Sequence, residues 1–271
     1  MKALVLTFDK YKPFATHMIM CYEQLWPNHP FTFRVPYQSE EVKEYFEKTF
    51  GPKVEMIKSP SGIVDTMFAL SDDLDENEWV YWCMDDRYLM KPDLVEMEKA
   101  YRLTQSKESV DVAGICLCNS PKCWLSQHKF GKDQSIKTSE GQLFFRRKDY
   151  LMIWYHQFLR VRVIRDFFSL FPRDMKQAKE MDYIKEEKLL PNNQRMYFLD
   201  HNACIYGEST NRGKITLNTI RSFKEKGLSV PDNFEVTEVE LLKGTSNKWD
   251  NYWYLIKYFI KKTIQLIIRT K

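Results

Sequence analysis

The sequence predicts an α/β domain with a mixed, mostly parallel sheet and helices on both of its faces. Two observations carry that expectation. Short β-rich runs alternate with amphipathic stretches from residue 2 onward, the pattern of successive βα units. An aromatic, apolar run, Trp79-Val80-Tyr81-Trp82-Cys83-Met84, stops abruptly at Asp85-Asp86. In an open α/β sheet, charged groups at the carboxyl end of a strand face a crevice rather than the core.

In chain order, Lys2 to Phe8 reads as a first strand that stops at Asp9, and Phe14, Met18, Cys21, Tyr22 and Leu25 fall at helical spacing over Pro13 to Leu25. Trp26-Pro27-Asn28-His29-Pro30 breaks that helix, and Phe31 to Pro36 alternates as a second strand would. Ser39 is the expected N-cap of a helix reaching Phe50, and Lys53 to Ile57 reads as a third strand. Ser59-Pro60-Ser61-Gly62 is a loop before a helix through Ile63, Met67 and Leu70, and the aspartate strand follows. A helix through Leu94, Met97, Ala100, Tyr101 and Thr104 comes next, then a strand over Val110 to Leu117. Asn119 to Ser139 is irregular and carries Trp124, His128 and Phe130; Gln142 to Arg147 reads as a strand and Tyr150 to Ile164 as an apolar helix. Arg173 to Leu190 reads as a helix of mixed charge, Tyr197 to Tyr206 as a late strand, and Ile215 to Lys226 as a helix closed by Gly227.

With 271 residues and 44% hydrophobic content the chain can bury a sizeable core, and 15% aromatic content favours a pocket-bearing enzyme or a sugar-handling surface over a disordered linker. The apolar N-terminal stretch is too short for a secretory signal and lacks a small-residue cleavage site. Cysteines at 21, 83, 116, 118, 123 and 204 form no regular framework, which predicts a reduced, cytoplasmic setting. Cys116, Cys118, Cys123 and His128 match no standard zinc spacing. The net charge of +4 is concentrated at one end: Lys248 to Lys271 carries +5 and the rest of the chain −1, which argues against a nucleic-acid surface on the body.

Thr7 and Asp9 at the end of the first strand, Ser61 and Asp65 beyond the third, and Asp85 and Asp86 are expected on one rim, where a nucleotide can lie. No Gly-x-Gly-x-x-Gly follows the first strand and no Walker sequence occurs, which argues against a dinucleotide enzyme or a phosphate-loop NTPase. Two adjacent carboxylates repel each other unless a proton or cation intervenes, and oxygen ligands of this kind suit Mn²⁺ or Mg²⁺. Such an ion would carry phosphate charge in place of a glycine loop. Gly207 to Lys214 is small, polar and basic, and its amides with Arg212 and Lys214 can close over a diphosphate.

The opening strand Ala3 to Asp9, Trp26-Pro27 before Phe31 to Val35, the aromatic strand into Asp85-Asp86, and Asn211-Arg212-Gly213-Lys214 before a late helix together resemble a GT-A-type glycosyltransferase. Bacteria use enzymes of this kind to build lipopolysaccharide O-antigen and capsule. The likeness covers about residues 1 to 230. It implies a GT-A-like, Rossmann-like fold, a UDP-sugar or similar nucleotide-sugar donor, and a saccharide or lipid-linked glycan acceptor. In that family a D-x-D signature binds Mn²⁺ or Mg²⁺ with the donor diphosphate. Here Met84 stands two residues before Asp86 and Arg87 two after Asp85, so one ligand position is missing. The resemblance gives Asp86 to the metal, Asp85 to the ribose or donor sugar, and partial cationic replacement to Arg87, with His201 as a late metal ligand. It also gives an inverting reaction in which Asp182, ahead of Glu180, removes the acceptor proton. A noncatalytic carbohydrate- or membrane-binding protein on the same fold, or a sugar nucleotidyltransferase, are the rival readings; the second lacks its usual glycine-rich N-terminal signature.

Between Asn251 and Arg269, Lys257, Lys261 and Lys262 interrupt the apolar residues too often for a span of about 20 apolar residues. The stretch fits an interfacial helix with its lysines at anionic headgroups, and the competing reading is a helix packed on the domain or in a dimer. The expected organisation is a catalytic domain over 1–245 and a basic amphipathic segment over 246–271. The resemblance implies a peripheral site on the cytoplasmic face of the inner membrane.

Overall fold

The computed structural model describes residues 1–119, 135–147, 153–175, 181, 195–245, 253, 256–257 and 260. Strand and helix alternate through the first third: β1 (Lys2–Leu6), α1 (Lys12–Leu25), β2 (Thr32–Tyr37), α2 (Glu40–Phe50), β3 (Val54–Lys58), α3 (Ile63–Ser71) and β4 (Trp79–Met84). Then come β5 (Arg87–Pro92), α4 (Leu94–Gln105), β6 (Gly114–Cys116), β7 (Ser135–Lys137), β8 (Leu143–Arg147), β9 (Gln157–Arg160) and a helix over Val161–Phe168. The remaining elements are β10 (Met196–Leu199), β11 (Cys204–Glu208), β12 (Thr210–Asn211), β13 (Lys214–Thr216), a helix over Leu217–Glu225, β14 (Val236–Thr237) and β15 (Leu242–Lys243).

Nine strands form the main sheet in the order β3-β2-β1-β4-β9-β6-β10-β8-β7. The first four are mutually parallel, as are β6 and β10, while β9 and β8 run against their neighbours, so the sheet is mixed and mostly parallel. The chain builds outward from β1 to β3 and then returns to the other side of β1 for β4. That reversal opens a crevice between the carboxyl ends of β1 and β4. Burial on both faces explains why β4 is apolar at every position. Ala3, Val5, Tyr81 and Cys83 pack with Met18 and Tyr22 of α1, Phe46 of α2 and Met97 of α4. Leu4, Val80, Trp82 and Met84 face the other way, onto Met67 and Leu70 of α3 and onto Ile164 and Phe168.

Local chemistry sets the element ends. Pro13 lies in the first turn of α1, where its missing N–H costs nothing, and the Asp93 side chain accepts the Glu96 N–H to cap α4. A second sheet, β15-β11-β5, passes over α1. Gly207 leaves room there for the Tyr88 ring: a Cβ would sit 2.5 Å from its Cζ.

Four sequence expectations change. Tyr150 to Ile164 is not one helix; His156 leads into β9, which is inserted antiparallel between β4 and β6, and helix starts only at Val161. A strand buried on both faces shows no alternation, so periodicity cannot separate it from a buried helix. Tyr197 to Tyr206 divides into β10 and β11, which belong to different sheets, and Lys214–Thr216 is strand rather than helix start. After Asp86 the chain returns as β5 in the second sheet. Most of Arg173 to Leu190, and Trp124, His128 and Phe130, lie outside the described residues. Among the described residues no helix is long and apolar enough to cross a membrane.

Candidate active site

The crevice between β1 and β4 holds a cleft of about 550 Å³. Its lining includes Thr7, Phe8 and Tyr11 after β1, Ser61 and Thr66 around the start of α3, Asp85, Asp86 and Arg87, Trp154, and Glu208 and Thr210 at the end of β11. The parallel register that pairs Leu6 with Met84 brings Thr7 beside Asp85, and the Asp85 N–H donates to the Leu6 carbonyl at 3.3 Å. From the other side the Ser209 N–H donates to the Asp86 carbonyl at 2.6 Å. The two aspartates thus form the turn where the chain leaves the main sheet for the second one.

The floor of the cleft is acidic. Asp85 is 8% exposed, and burial first, then the charge of Asp86, pushes its carboxyl well above the usual range. Burial also raises Asp86, against the opposing pull of Arg87. The Tyr11 hydroxyl is raised by burial and by both aspartates. Cations stand beside this floor: Arg87 donates to Glu208 at 3.0 Å, Lys243 lies 3.1 Å from the same carboxylate, and the Arg87 guanidinium lies 4.8 Å from the Tyr155 ring centre. Arg87 Nε and Nη1 are buried with no hydrogen-bond partner among the described residues, as is Ser209 Oγ. Buried donors of this kind are met by a water, an ion or a ligand from outside the chain.

The donor set suits a hard divalent cation that shares its coordination with a ligand. Asp85 and Asp86 offer only oxygen, and among the described residues no three His, Cys, Asp or Glu groups converge on a common point. Substrate oxygens and water would have to complete such a site.

In chain path the protein is similar to the galactosyltransferase LgtC in complex with donor and acceptor sugar analogs, with 10% identity over 82% of this chain and 78% of that one and a TM-score of 0.40. It is similar also to S. aureus TarS 1–349, with 13% identity, 76% and 59% coverage and a TM-score of 0.47. A third likeness is to 4-diphosphocytidyl-2C-methyl-D-erythritol synthase from Anaerococcus prevotii, with 8% identity, 83% and 95% coverage and a TM-score of 0.42. No family model and no curated protein matches the sequence. These are likenesses of fold, and the chemistry of the cleft rests on its own side chains.

Thr7, Ser61, Asp85, Asp86 and Arg87 meet in the cleft, as the sequence predicts for one rim. The other candidates are placed elsewhere or otherwise engaged. Asp9 accepts the Gln38 and Ser39 N–H groups at 3.0 and 2.8 Å, so its carboxylate ties the end of β1 to the start of α2. Asp65 pairs with Arg173 at 2.6 Å. Arg212 and Gly213 are the two positive-φ residues of a tight hairpin between β12 and β13, which carries both Arg212 and Lys214 out to solvent, where Lys214 pairs with Glu235 at 2.6 Å.

His201 is not brought to Asp86. It sits before β11, near the Pro92 end of β5, about 20 Å along that strand at about 3.3 Å per residue, and pairs with Asp200 and Glu96. A metal site made of Asp86 and His201 is therefore not assembled. Glu180 and Asp182 lie outside the described residues. Phe8 lies in the expected rim stretch Thr7-Phe8-Asp9 and Glu208 in the Gly207 to Lys214 segment, whereas Tyr11, Trp154 and Lys243 were not expected from sequence. Tyr11 follows the Thr7 signal closely, Trp154 was hidden in the misread helix, and Lys243 reaches the site through the pairing of β15 with β11.

Proposed function

We propose that this protein is a glycosyltransferase that takes a sugar from a nucleotide-sugar donor, a UDP-sugar by preference, and passes it to a saccharide or lipid-linked acceptor. The observation that carries this reading is the Asp85-Asp86 turn, Asp85 buried and Asp86 half-buried, at the floor of a cleft lying where the strand order reverses between β1 and β4. Phe8, 44% exposed, and Tyr11, with ring centres 4.6 Å apart, offer the nucleobase an aromatic wall. Asp86, with Asp85 beside it, would hold Mn²⁺ or Mg²⁺ jointly with the donor diphosphate, and the ion would stabilise the departing nucleoside diphosphate. Arg87 adds fixed positive charge next to it. In the transfer, a carboxylate, Asp182 ahead of Glu180, takes the acceptor hydroxyl proton; the acceptor oxygen bonds to the anomeric carbon as the bond from that carbon to the phosphate oxygen breaks. A role in surface polysaccharide assembly follows from the sequence resemblance.

The test is product analysis on the purified chain with sugar nucleotides and candidate saccharides. Nucleoside diphosphate released in step with glycosylated acceptor is the expected result. Pyrophosphate from a nucleoside triphosphate and a sugar phosphate would make it a nucleotidyltransferase, and no turnover of any donor would make it a binding module. Tyr11→Ala is expected to weaken nucleotide binding about tenfold, since base stacking is worth about 1–3 kcal/mol; titration of the diphosphate into the variant checks this.

The C-terminal segment is proposed to lie on an anionic membrane surface. Trp253, Ile256 and Ile260 are 61%, 48% and 54% exposed at helical spacing, with Lys257 beside them. Removing residues 246–271 is expected to abolish sedimentation with phosphatidylglycerol vesicles; unchanged sedimentation would refute the proposal.

A further inference from the structure

On the β9 side, the ladder of β4 ends at the pair Trp82–Gln157, two residues short of the aspartate turn. On the β1 side it continues to Leu6–Met84. The open rung is closed by a side chain. His156, the residue just before β9, places Nε2 3.0 Å from both the backbone nitrogen and the carbonyl oxygen of Met84. In one tautomer the Met84 N–H donates to Nε2; in the other Nε2–H donates to the Met84 carbonyl. Either way the residue immediately before Asp85 is gripped from both sides.

The imidazole is itself held. Its Nδ1 lies 2.7 Å from the Tyr22 hydroxyl, which lies 3.1 Å from that of Tyr81, which in turn lies 2.9 Å from that of Tyr206. All four side chains are fully buried and belong to α1, β4, β11 and the approach to β9. Burial holds His156 down to about 3, so the ring is neutral at pH 7. The neighbouring residues serve the same floor: the Ile153 carbonyl accepts from Trp82 Nε1 at 2.6 Å, Trp154 lines the cleft, and Tyr155 lies against Arg87. A polar chain in an otherwise apolar core is costly unless every member is satisfied, and once satisfied it fixes one geometry.

We propose that His156 is a positioning residue for the donor site: through Met84 it sets the angle at which the Asp85-Asp86 turn meets the cleft, and the Tyr22-Tyr81-Tyr206 chain fixes its ring. This role rests on the nucleotide-binding reading of the cleft. Sites that order a ligand lose affinity when their supporting geometry shifts by a fraction of an ångström.

The experiment is titration of UDP, with Mn²⁺ present, into the full chain and three variants, alongside thermal melts. His156→Phe keeps the ring volume and removes both hydrogen bonds; it is expected to weaken binding about tenfold or more. His156→Gln, whose amide can reach Met84, is expected to recover part of the loss. Leu103→Ala, a core truncation on α4 remote from the cleft, is expected to lower the melting temperature and leave affinity unchanged. Wild-type affinity in His156→Phe together with a lowered melting temperature would reduce His156 to a core residue and overturn the proposal. If His156→Phe does not fold, Tyr22→Phe, which removes the Nδ1 partner together with the link to Tyr81 and leaves the contact of Nε2 with Met84, must weaken binding about threefold; unchanged affinity there overturns the proposal equally. A wild-type chain that binds no nucleoside diphosphate would instead overturn the functional reading and this role with it.

Discussion

Asp86→Asn is expected to raise the melting temperature while removing nucleotide binding. Burial makes Asp86 hold its proton more tightly in the folded chain than in the unfolded one, and Asp85 more tightly still. As pH climbs past the ordinary carboxyl value of 3.8, the unfolded chain ionises first, so the folded state loses stability until the raised folded values are passed. Asparagine does not ionise. The advantage of the variant therefore vanishes at the acid end, grows through that window and is full above it. Each kcal/mol relieved should raise the melting temperature by about 2–4 °C. Function moves the other way, because on the proposed reading the carboxylate that strains the fold is the one that would hold the cation, and only through that cation the diphosphate; turnover should fall about 100-fold or more. Melts across pH together with titration of nucleotide check both halves. A destabilised variant that still binds would contradict the account.

Arg87→Ala is expected to cost about 3 kcal/mol, the lower end of what breaking a buried ion pair costs, because Lys243 remains at 3.1 Å from Glu208. The side chains of Arg87 and Glu208 are each 11% exposed, so solvent screens the pair little. The variant also strips the Tyr155 ring of its cation and removes the charge that holds Asp86 down. The melting temperature should fall by about 6–12 °C, and nucleotide affinity should fall with it. Arg87→Lys restores the charge but not the planar fork and should lie between the two. Denaturant melts that leave Arg87→Ala at wild-type stability would show that the pair holds nothing in place.

How much of this was legible in the sequence depended on where the signal lay. The βα alternation through β4 and the Asp85-Asp86 turn were readable, because helical spacing in α1 to α3 and a sharp change from apolar to acidic at Met84 are local properties. Thr7 and Ser61 followed once the strands were taken as parallel. Sequence could not show that Gln157–Arg160 is a strand, because it is covered on both faces at Gln157, Phe158 and Leu159 and so shows no alternation. That one misreading hid both Trp154 in the cleft and His156 behind it. The Gly207 to Lys214 segment was read by composition as a phosphate clamp, but two positive-φ residues in its turn send Arg212 and Lys214 to solvent, and the cation that joins Arg87 at Glu208 is Lys243, 35 residues beyond that glutamate. Contacts made by a late strand folding back over an earlier one leave no mark on either stretch.

The most direct measurement is titration calorimetry of nucleoside diphosphates, UDP first, into the full chain with and without Mn²⁺, repeated on Asp86→Asn. The account predicts saturable binding of one equivalent, tightened by Mn²⁺ and lost in the variant. No binding of any nucleoside diphosphate by the wild-type chain, or equal binding by Asp86→Asn, would contradict it.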